Sequence, residues 1–140
     1  MIRRLLGVAV LLAVATPSWA SEKAEFGWEL RQVFSASLRF VRIERGCKIT
    51  DRDEAAAFLV FECPPDEKGQ PPRRGSIELY RVDSRGAPMV RVQVTLGDEP
   101  SYMERRFLDL LERKLRAELG TPPPPKPAPR PPAESPDGGA

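Results

Sequence analysis

The chain has 140 residues, with 22 Lys and Arg, 20 Asp and Glu, and no histidine. The lack of histidine excludes Ser-His-Asp and Cys-His nucleophile activation, histidine proton shuttles and histidine metal triads. The sequence also contains no glycine-rich phosphate loop, dinucleotide fingerprint or Cys-x-x-Cys redox pair. The familiar motif-bearing enzyme classes are therefore not indicated.

Residues 1–20 are typical of a cleavable signal peptide. Arg3 and Arg4 precede an apolar run from Leu5 to Ala15, and Ser18 and Ala20 are the small residues that a signal peptidase recognises. An uncleaved membrane anchor is the alternative, but a spanning helix needs roughly 20 apolar residues. We therefore expect an exported chain, periplasmic or secreted, that begins at Ser21.

Export also changes what the charge implies about partners. Without Arg3 and Arg4 the remaining chain carries 20 basic and 20 acidic residues, interspersed along its length. We therefore expect no nucleic-acid partner. Because no cysteine lies near the cleavage point and no later segment is long and apolar, we also expect no lipid anchor and no membrane span.

After the signal peptide, we expect one domain over residues 21–120 and a disordered proline-rich tail over residues 121–140. The tail contains nine prolines and no large apolar side chain, so burial cannot offset the entropy of ordering it. Its Lys- and Arg-interleaved prolines resemble envelope-spanning spacers of the TonB type. A frayed C-terminus is the other interpretation.

A first helix is predicted from Ser21, as its N-cap, to about Arg45, with Gly46 as its C-terminal stop. Apolar positions recur at steps of three and four along it, whereas Trp28 lies off this stripe. Because Val41 and Ile43 alternate with charged residues, a transition to a strand near Phe40 is the alternative. The stripe consists of Phe26, Leu30, Val33, Phe34, Ser37, Leu38 and Val41.

Four strands and a second helix are predicted next. The strands cover residues 47–50, 55–63, 76–82 and 89–96, with a polar turn at 51–54, a surface loop at 64–75 and a hairpin turn at 83–86. Ser101 and Glu104 fit a capping box, and Gly120 ends the helix. The order α-β-β-β-β-α predicts a two-layer α+β fold, a four-stranded antiparallel meander with both helices packed on one face.

This layout resembles small helix-grip domains of outer-membrane-assembly lipoproteins. The resemblance rests on the long helix, the segment Gly46-Cys47-Lys48-Ile49-Thr50-Asp51, the strands and the closing Leu-rich helix. It concerns pattern alone and implies no site residues. The chain departs from those lipoproteins in having no lipobox cysteine.

Cys47 and Cys63 are expected to form a disulfide. An even pair of cysteines in an exported chain favours a disulfide, and a hairpin of the first two strands places both residues near its open end. Two free thiols or a metal pair are the alternatives. With no histidine, a closed zinc site would need carboxylates, so we expect neither a metal nor another cofactor.

Two clusters of charged residues are candidate sites. Asp51, Asp53 and Glu54 form the only tight acidic cluster on a predicted turn, and they suit calcium or the carboxylate pair of a glycoside hydrolase. Their spacing matches no EF-hand loop, which favours a solvated turn. Arg73 and Arg74 suggest an anion site, but two arginines in a Pro/Gly loop are more often solubilising.

One surface is predicted from strand alternation. If the helices cover Leu59, Phe61, Ile77 and Leu79, then other apolar side chains lie on the open face of the sheet, namely Phe58, Val60, Tyr80 and Val82. Contiguous apolar surface of this kind is typical of a partner or homodimer interface. The alternative is that the 64–75 loop, the tail or Trp28 covers it.

The sequence thus favours a non-catalytic, secreted or periplasmic α+β domain that acts by protein–protein contact, through the open sheet face or the tail. The alternative is a small carboxylate-dependent hydrolase or ligand-binding domain that uses Asp51, Asp53 and Glu54. A stress or envelope protein whose fold simply persists under oxidising conditions is a third interpretation.

Overall fold

The computed structural model describes residues 21–124. The predicted signal peptide and the tail beyond Pro124 lie outside these residues. Between them lie five strands and two α-helices, the first of which continues into a π-helical turn at Phe40–Glu44. The elements are β1 (Glu22–Phe26), α1 (Leu30–Arg39), β2 (Lys48–Asp53), β3 (Phe58–Cys63), β4 (Arg73–Ser84), β5 (Ala87–Leu96) and α2 (Ser101–Leu119).

The strands form one antiparallel sheet in the order β1-β5-β4-β3-β2. Strands β2 to β5 are the predicted meander, and both helices pack on one face of it. The α+β class is therefore confirmed, with one strand more than expected. The helix-facing side chains of the sheet that are completely inaccessible to solvent are Leu59, Ile77, Val92 and Val94.

The additional strand is β1, where a helix beginning at Ser21 was predicted. Phe26 pairs with Val90 and Glu22 with Val94, so β1 covers the edge of β5. Pairing satisfies backbone groups of β5 that would otherwise lie unpaired at the sheet edge. The helix prediction was wrong here because Phe26 fits the helical stripe and also the inward positions of a short strand.

The end of the first helix differs from both predictions, which were an α-helix as far as Arg45 and a strand from near Phe40. After Arg39 the helix widens, so that the Arg45 amide donates to the Phe40 carbonyl at 3.0 Å, five residues back. The Cys47 amide then donates to the Val41 carbonyl, and Gly46 takes a positive φ of 64° between them. Gly46 is therefore the stop that was predicted, and the alternative of a strand from Phe40 was wrong.

The predicted turn at residues 51–54 lies later in the chain. Strand β2 continues to Asp53 after a register shift between Ile49 and Asp51, and the turn covers residues 54–57. The Asp53 carboxylate accepts the Ala56 amide at 2.9 Å. The charged segment Asp51-Arg52-Asp53-Glu54 is typical of a turn, but it is also compatible with an exposed edge strand, where charge blocks further pairing.

Strand β4 begins at Arg73, inside the predicted 64–75 loop, so that Gly75 lies within the sheet. A Cβ on Gly75 would lie 2.5 Å from the Phe61 ring. That ring is buried and stacks on Phe107 of α2, with 5.9 Å between ring centroids. A glycine that looks like a loop residue in the sequence therefore makes room for a core aromatic.

The start of α2 also differs from the prediction. Pro100 is the N-cap, no side chain caps the helix, and Ser101 is its first residue. The capping box was therefore wrong. Glu104 instead accepts the amides of Leu96 at 2.9 Å and Glu22 at 3.2 Å, and so joins α2 to the last residue of β5 and the first of β1.

Candidate functional site

The predicted disulfide joins Cys47 to Cys63, with 4.2 Å between their Cα atoms. Lys48 pairs with Glu62, so the two cysteines are the next positions outward on the β2–β3 hairpin. Both are buried. The bond fastens the hairpin where the chain arrives from the π-helical turn. Among the helices between residues 21 and 124, none has the length and apolar character that crossing a bilayer requires.

The acidic residues do not converge on a pocket. Asp51 and Asp53 lie on one face of the edge strand β2, exposed to solvent, while Glu54 lies in the following turn, 3.9 Å from Arg31. Asp53 is engaged with the backbone of that turn. Over residues 21–124 no three His, Cys, Asp or Glu side chains group as metal ligands. The sheet therefore brings together two of the three carboxylates.

The two arginines of the former loop lie at the start of β4. Arg74 pairs with Glu62 at 2.8 Å, and Arg73 pairs with Glu99 at 3.0 Å and with Asp66 at 3.2 Å. Each guanidinium thus has a carboxylate partner within the protein. This arrangement fits a structural role better than an anion site.

The four residues of the predicted partner surface alternate with the core residues of β3 and β4. Phe58, Val60 and Val82 are half-buried, and Tyr80 is 44 % exposed. Glu78 lies opposite Phe58 and accepts a hydrogen bond from the Tyr80 hydroxyl, which raises the pKa of that phenol above its ordinary value. Polar groups thus divide the apolar ones on this face.

The rest of the open face is also mixed. Arg91 pairs with Glu25 at 2.8 Å, and hydrogen bonds from Ser84 and Arg91 lower the pKa of the Glu25 carboxyl. Trp28 does not cover this face, because its indole packs against Phe26 and Arg116 on the helix side of the sheet. Whether a partner binds the open face stays a prediction.

A homodimer through the open face can be tested directly. An interface between two copies must be self-complementary, which a face with balanced ion pairs allows. We expect Phe58→Ser combined with Tyr80→Ser to raise the dissociation constant of the dimer at least tenfold, as measured by sedimentation velocity. Ile43→Ser, at a residue that is 73 % exposed on the π-helical turn, is the matched control. An unchanged association state in the double variant would exclude this surface as a homodimer interface.

A groove of about 870 Å³ lies at one end of the sheet. We call it the Trp28 groove. It lies between the β1–α1 connection, the first residues of β5 and the C-terminal end of α2. Its apolar wall consists of Phe26, Trp28, Leu30, Pro88, Met89 and Val90.

The Trp28 indole is held tightly in this wall. It meets the Phe26 ring edge-on with 5.9 Å between ring centroids, and the Arg116 guanidinium lies 5.8 Å from the centroid of the indole ring. Trp28 is only 4 % exposed. Its Nε1 atom is buried and has no hydrogen-bond partner among residues 21–124. A buried N–H without an acceptor costs about 1–3 kcal/mol, so such a group is rare without a reason.

The first residues of the proline-rich segment form the remaining wall. Gly120 ends α2 with a φ of 74°, and Pro122, Pro123 and Pro124 then line the groove. Pro122 lies directly on the backbone of Gly27, because a Cβ at Gly27 would be 3.0 Å from the Pro122 Cβ. Pro122 therefore packs against the β1–α1 connection in the wall of the groove.

The sequence pattern does not identify Trp28 as a site residue. The available signal was an aromatic side chain outside the helical stripe, next to a glycine, in a chain with a proline-rich end. Only the fold shows that these features meet, since α2 returns the chain to the β1–α1 connection.

Comparisons with known proteins identify no relative. No family model matches the chain, and no curated protein matches it. Among solved structures, a protein of Deinococcus radiodurans is 13 % identical over 71 % of this chain and 96 % of its own, with a TM-score of 0.45. A Chromobacterium violaceum protein is 14 % identical over 71 % and 97 %, and a Thermobifida fusca protein 16 % identical over 69 % and 84 %, each with a TM-score of 0.39. Similarities at this level assign neither family nor activity.

Proposed function

We propose that this chain is an exported, non-catalytic α+β domain that acts by protein contact, and that its Trp28 groove binds an extended, proline-containing segment. The signal-peptide pattern of residues 1–20 and the Cys47–Cys63 disulfide support a secreted or periplasmic location. The observation that carries the proposed contact is the buried, unpaired Trp28 indole N–H in an apolar groove.

A polyproline-II segment has the chemistry that such a groove recognises. Its backbone makes no internal hydrogen bonds, so its carbonyl oxygens are free to accept one. It is already extended before binding and therefore loses little conformational entropy. Leu30, Pro88 and Met89 line the groove and retain exposed surface, so they supply apolar area for the proline rings. The buried indole N–H of Trp28 is the donor that a ligand carbonyl would reach on binding.

The contacts of Pro122 support this assignment. Pro122 packs against the Cβ-free backbone of Gly27 in the wall of the groove, so this surface is complementary to a proline ring. The exposed positions of Asp51 and Asp53 on an edge strand, by contrast, offer no enclosed pair of carboxylates of the kind that a hydrolase requires. The contact domain is therefore preferred to the carboxylate-dependent hydrolase or ligand-binding domain.

The test is a titration with a decaproline peptide. We use the exported chain in which every proline from 125 to 132 is replaced by serine, so that Pro122–Pro124 stay in the wall of the groove and the rest of the proline-rich segment does not compete. Once cleavage after Ala20 has removed Trp19, Trp28 is the only tryptophan. We expect a saturable change in its fluorescence and in its single indole N–H resonance.

Two further measurements make the result specific. Trp28→Phe keeps an aromatic ring but removes the donor, and we expect it to weaken decaproline binding about tenfold by calorimetry, since a hydrogen bond contributes about 0.5–1.5 kcal/mol. Tyr102→Phe, at a residue 63 % exposed on α2, should bind like the parent chain. A glycine-serine peptide of equal length should not bind. Failure of the serine-substituted chain to bind decaproline would contradict the proposed function.

A further inference from the structure

We infer that a cleft between the π-helical turn, the β3–β4 connection and α2 binds a small organic oxyanion, that is, a carboxylate or phosphate joined to a short apolar group. The cleft has a volume of about 330 Å³. It shares no lining residue with the Trp28 groove, which lies toward the other end of α2. The inference is therefore independent of the proposed protein contact.

Two of the arginines that line the cleft have no carboxylate partner. Arg45, at the end of the π-helical turn, and Arg106, on α2, form no ion pair among residues 21–124. The acidic residues of the lining are Glu44 and Asp66, and each is already paired with a basic side chain. The charge left without a partner in the lining is therefore positive.

Arg73 adds a hydrogen-bond donor to this cleft. Its guanidinium is fixed between Asp66, at 3.2 Å, and Glu99, at 3.0 Å. These three groups together carry one negative charge, which the two unpaired arginines exceed. The Arg73 Nε atom is nevertheless buried and has no hydrogen-bond partner within the described part of the chain. Buried donors without an acceptor are rare, and an oxyanion at this wall has the acceptor that this N–H lacks.

The position of Arg45 is fixed by its surroundings. Its amide donates to the Phe40 carbonyl at 3.0 Å, and its guanidinium lies 5.8 Å from the centroid of the Phe107 ring. Two residues later, Cys47 is joined by the disulfide to Cys63 of β3. Single π-helical turns occur frequently at functional sites. An arginine that is already positioned loses less conformational entropy when it binds a ligand.

The apolar part of the lining indicates what the oxyanion is attached to. Met103 and Leu110 are half-buried and lie on the same face of α2 as the buried Phe107 ring. They leave apolar surface beside the guanidinium groups, which an inorganic ion would not cover. A volume of this size is at the lower end of the range for small-molecule sites. It therefore suits an oxyanion that carries one aromatic or aliphatic group.

The experiment titrates the exported chain with phenyl phosphate and with phenylacetate, which carry the two kinds of oxyanion on an aromatic ring. NMR follows the Nε–H resonances of Arg45, Arg73 and Arg106, which we expect to shift in a saturable manner. The compound that binds more tightly identifies the oxyanion. Benzyl alcohol carries the ring without the charge, and inorganic phosphate carries the charge without the ring. Each should bind at least tenfold more weakly than the better of the two compounds.

A matched pair of variants makes the result specific to the cleft. Arg106→Gln removes an exposed guanidinium from the lining and should weaken binding about tenfold, because hydrogen bonds between charged groups are among the strong ones. Arg105→Gln removes the same charge from the neighbouring position, where Arg105 pairs with Glu22 outside the cleft, and it should bind like the parent chain. Arg45→Gln should weaken binding as Arg106→Gln does, and circular dichroism confirms that each variant is folded.

Several outcomes would overturn the inference. Equal weakening by Arg105→Gln and Arg106→Gln would show that binding depends on net charge and not on the cleft. Binding of benzyl alcohol or of inorganic phosphate as tightly as the better compound would exclude a ligand that combines charge with an apolar group. The absence of any saturable shift would exclude the site. None of these outcomes affects decaproline binding at the Trp28 groove, which is measured separately.

Discussion

Replacing Cys47 and Cys63 together by alanine is expected to lower the free energy of unfolding by about 3 kcal/mol. The disulfide closes a loop of about 15 residues, and the chain-entropy model assigns that stabilisation to a loop of this length. The variant should therefore unfold at a lower urea concentration than the parent. The measurement is equilibrium unfolding in urea, followed by circular dichroism under oxidising conditions.

Reduction supplies the matched control for this prediction. Dithiothreitol should lower the unfolding midpoint of the parent chain toward that of the double-alanine variant, and it should leave the variant unchanged. Because Cys47 and Cys63 are buried beside the core, the two alanines also remove some packing, so the variant should remain slightly less stable than the reduced parent. Equal midpoints for the oxidised parent and the variant would show that the bond does not stabilise the fold.

Replacing Glu104 by alanine should lower the free energy of unfolding by about 3 kcal/mol. This is a large effect for a glutamate on an amphipathic helix. Its side chain is 3 % exposed and accepts the amides of Leu96 and Glu22. A hydrogen bond to a charged group contributes about 1.5–3 kcal/mol, and the substitution leaves two amides without this acceptor. Thermal and urea unfolding of the variant measure the loss.

Two other variants separate this role from simple loss of charge. Glu104→Gln keeps one acceptor oxygen and should lose about half as much stability as the alanine variant. Glu112→Gln removes an exposed carboxylate paired with Arg116 on the same helix, and it should change stability by less than about 0.5 kcal/mol. If Glu104→Ala were as stable as Glu112→Gln, the junction between α2, β1 and β5 would not depend on this carboxylate.

The Glu104 contacts also explain why the sequence misled at both ends of the domain. Ser101 and Glu104 have the spacing of a capping box, and Ser21 has the chemistry of an N-cap. In the fold, the Glu104 side chain reaches Glu22, 82 positions away in the chain, and the residues after Ser21 form a strand. A capping pattern depends on neighbours within one turn, whereas this contact depends on where a distant strand lies.

The candidate site divides in the same way. The disulfide follows from two cysteines in a chain expected to be exported and from the hairpin between them. The Trp28 groove does not follow from any local pattern, because Gly27 and Pro122 meet only when α2 packs across the sheet. The apolar face predicted from alternation was placed on the correct strands, but the cross-strand neighbour of Phe58, which is Glu78, emerged only from the register.

The sequence alone determined the α+β class, the central strands, the second helix and the cysteine pair, because each depends on periodicity or spacing within a short segment. Strand β5, for example, alternates Val90, Val92 and Val94 with polar residues, and this pattern has one physical solution. The tertiary structure alone decided β1, the role of Glu104 and the proline-lined groove. These features arise from an unpaired sheet edge and from long-range contacts, whose energies no local window of the chain contains.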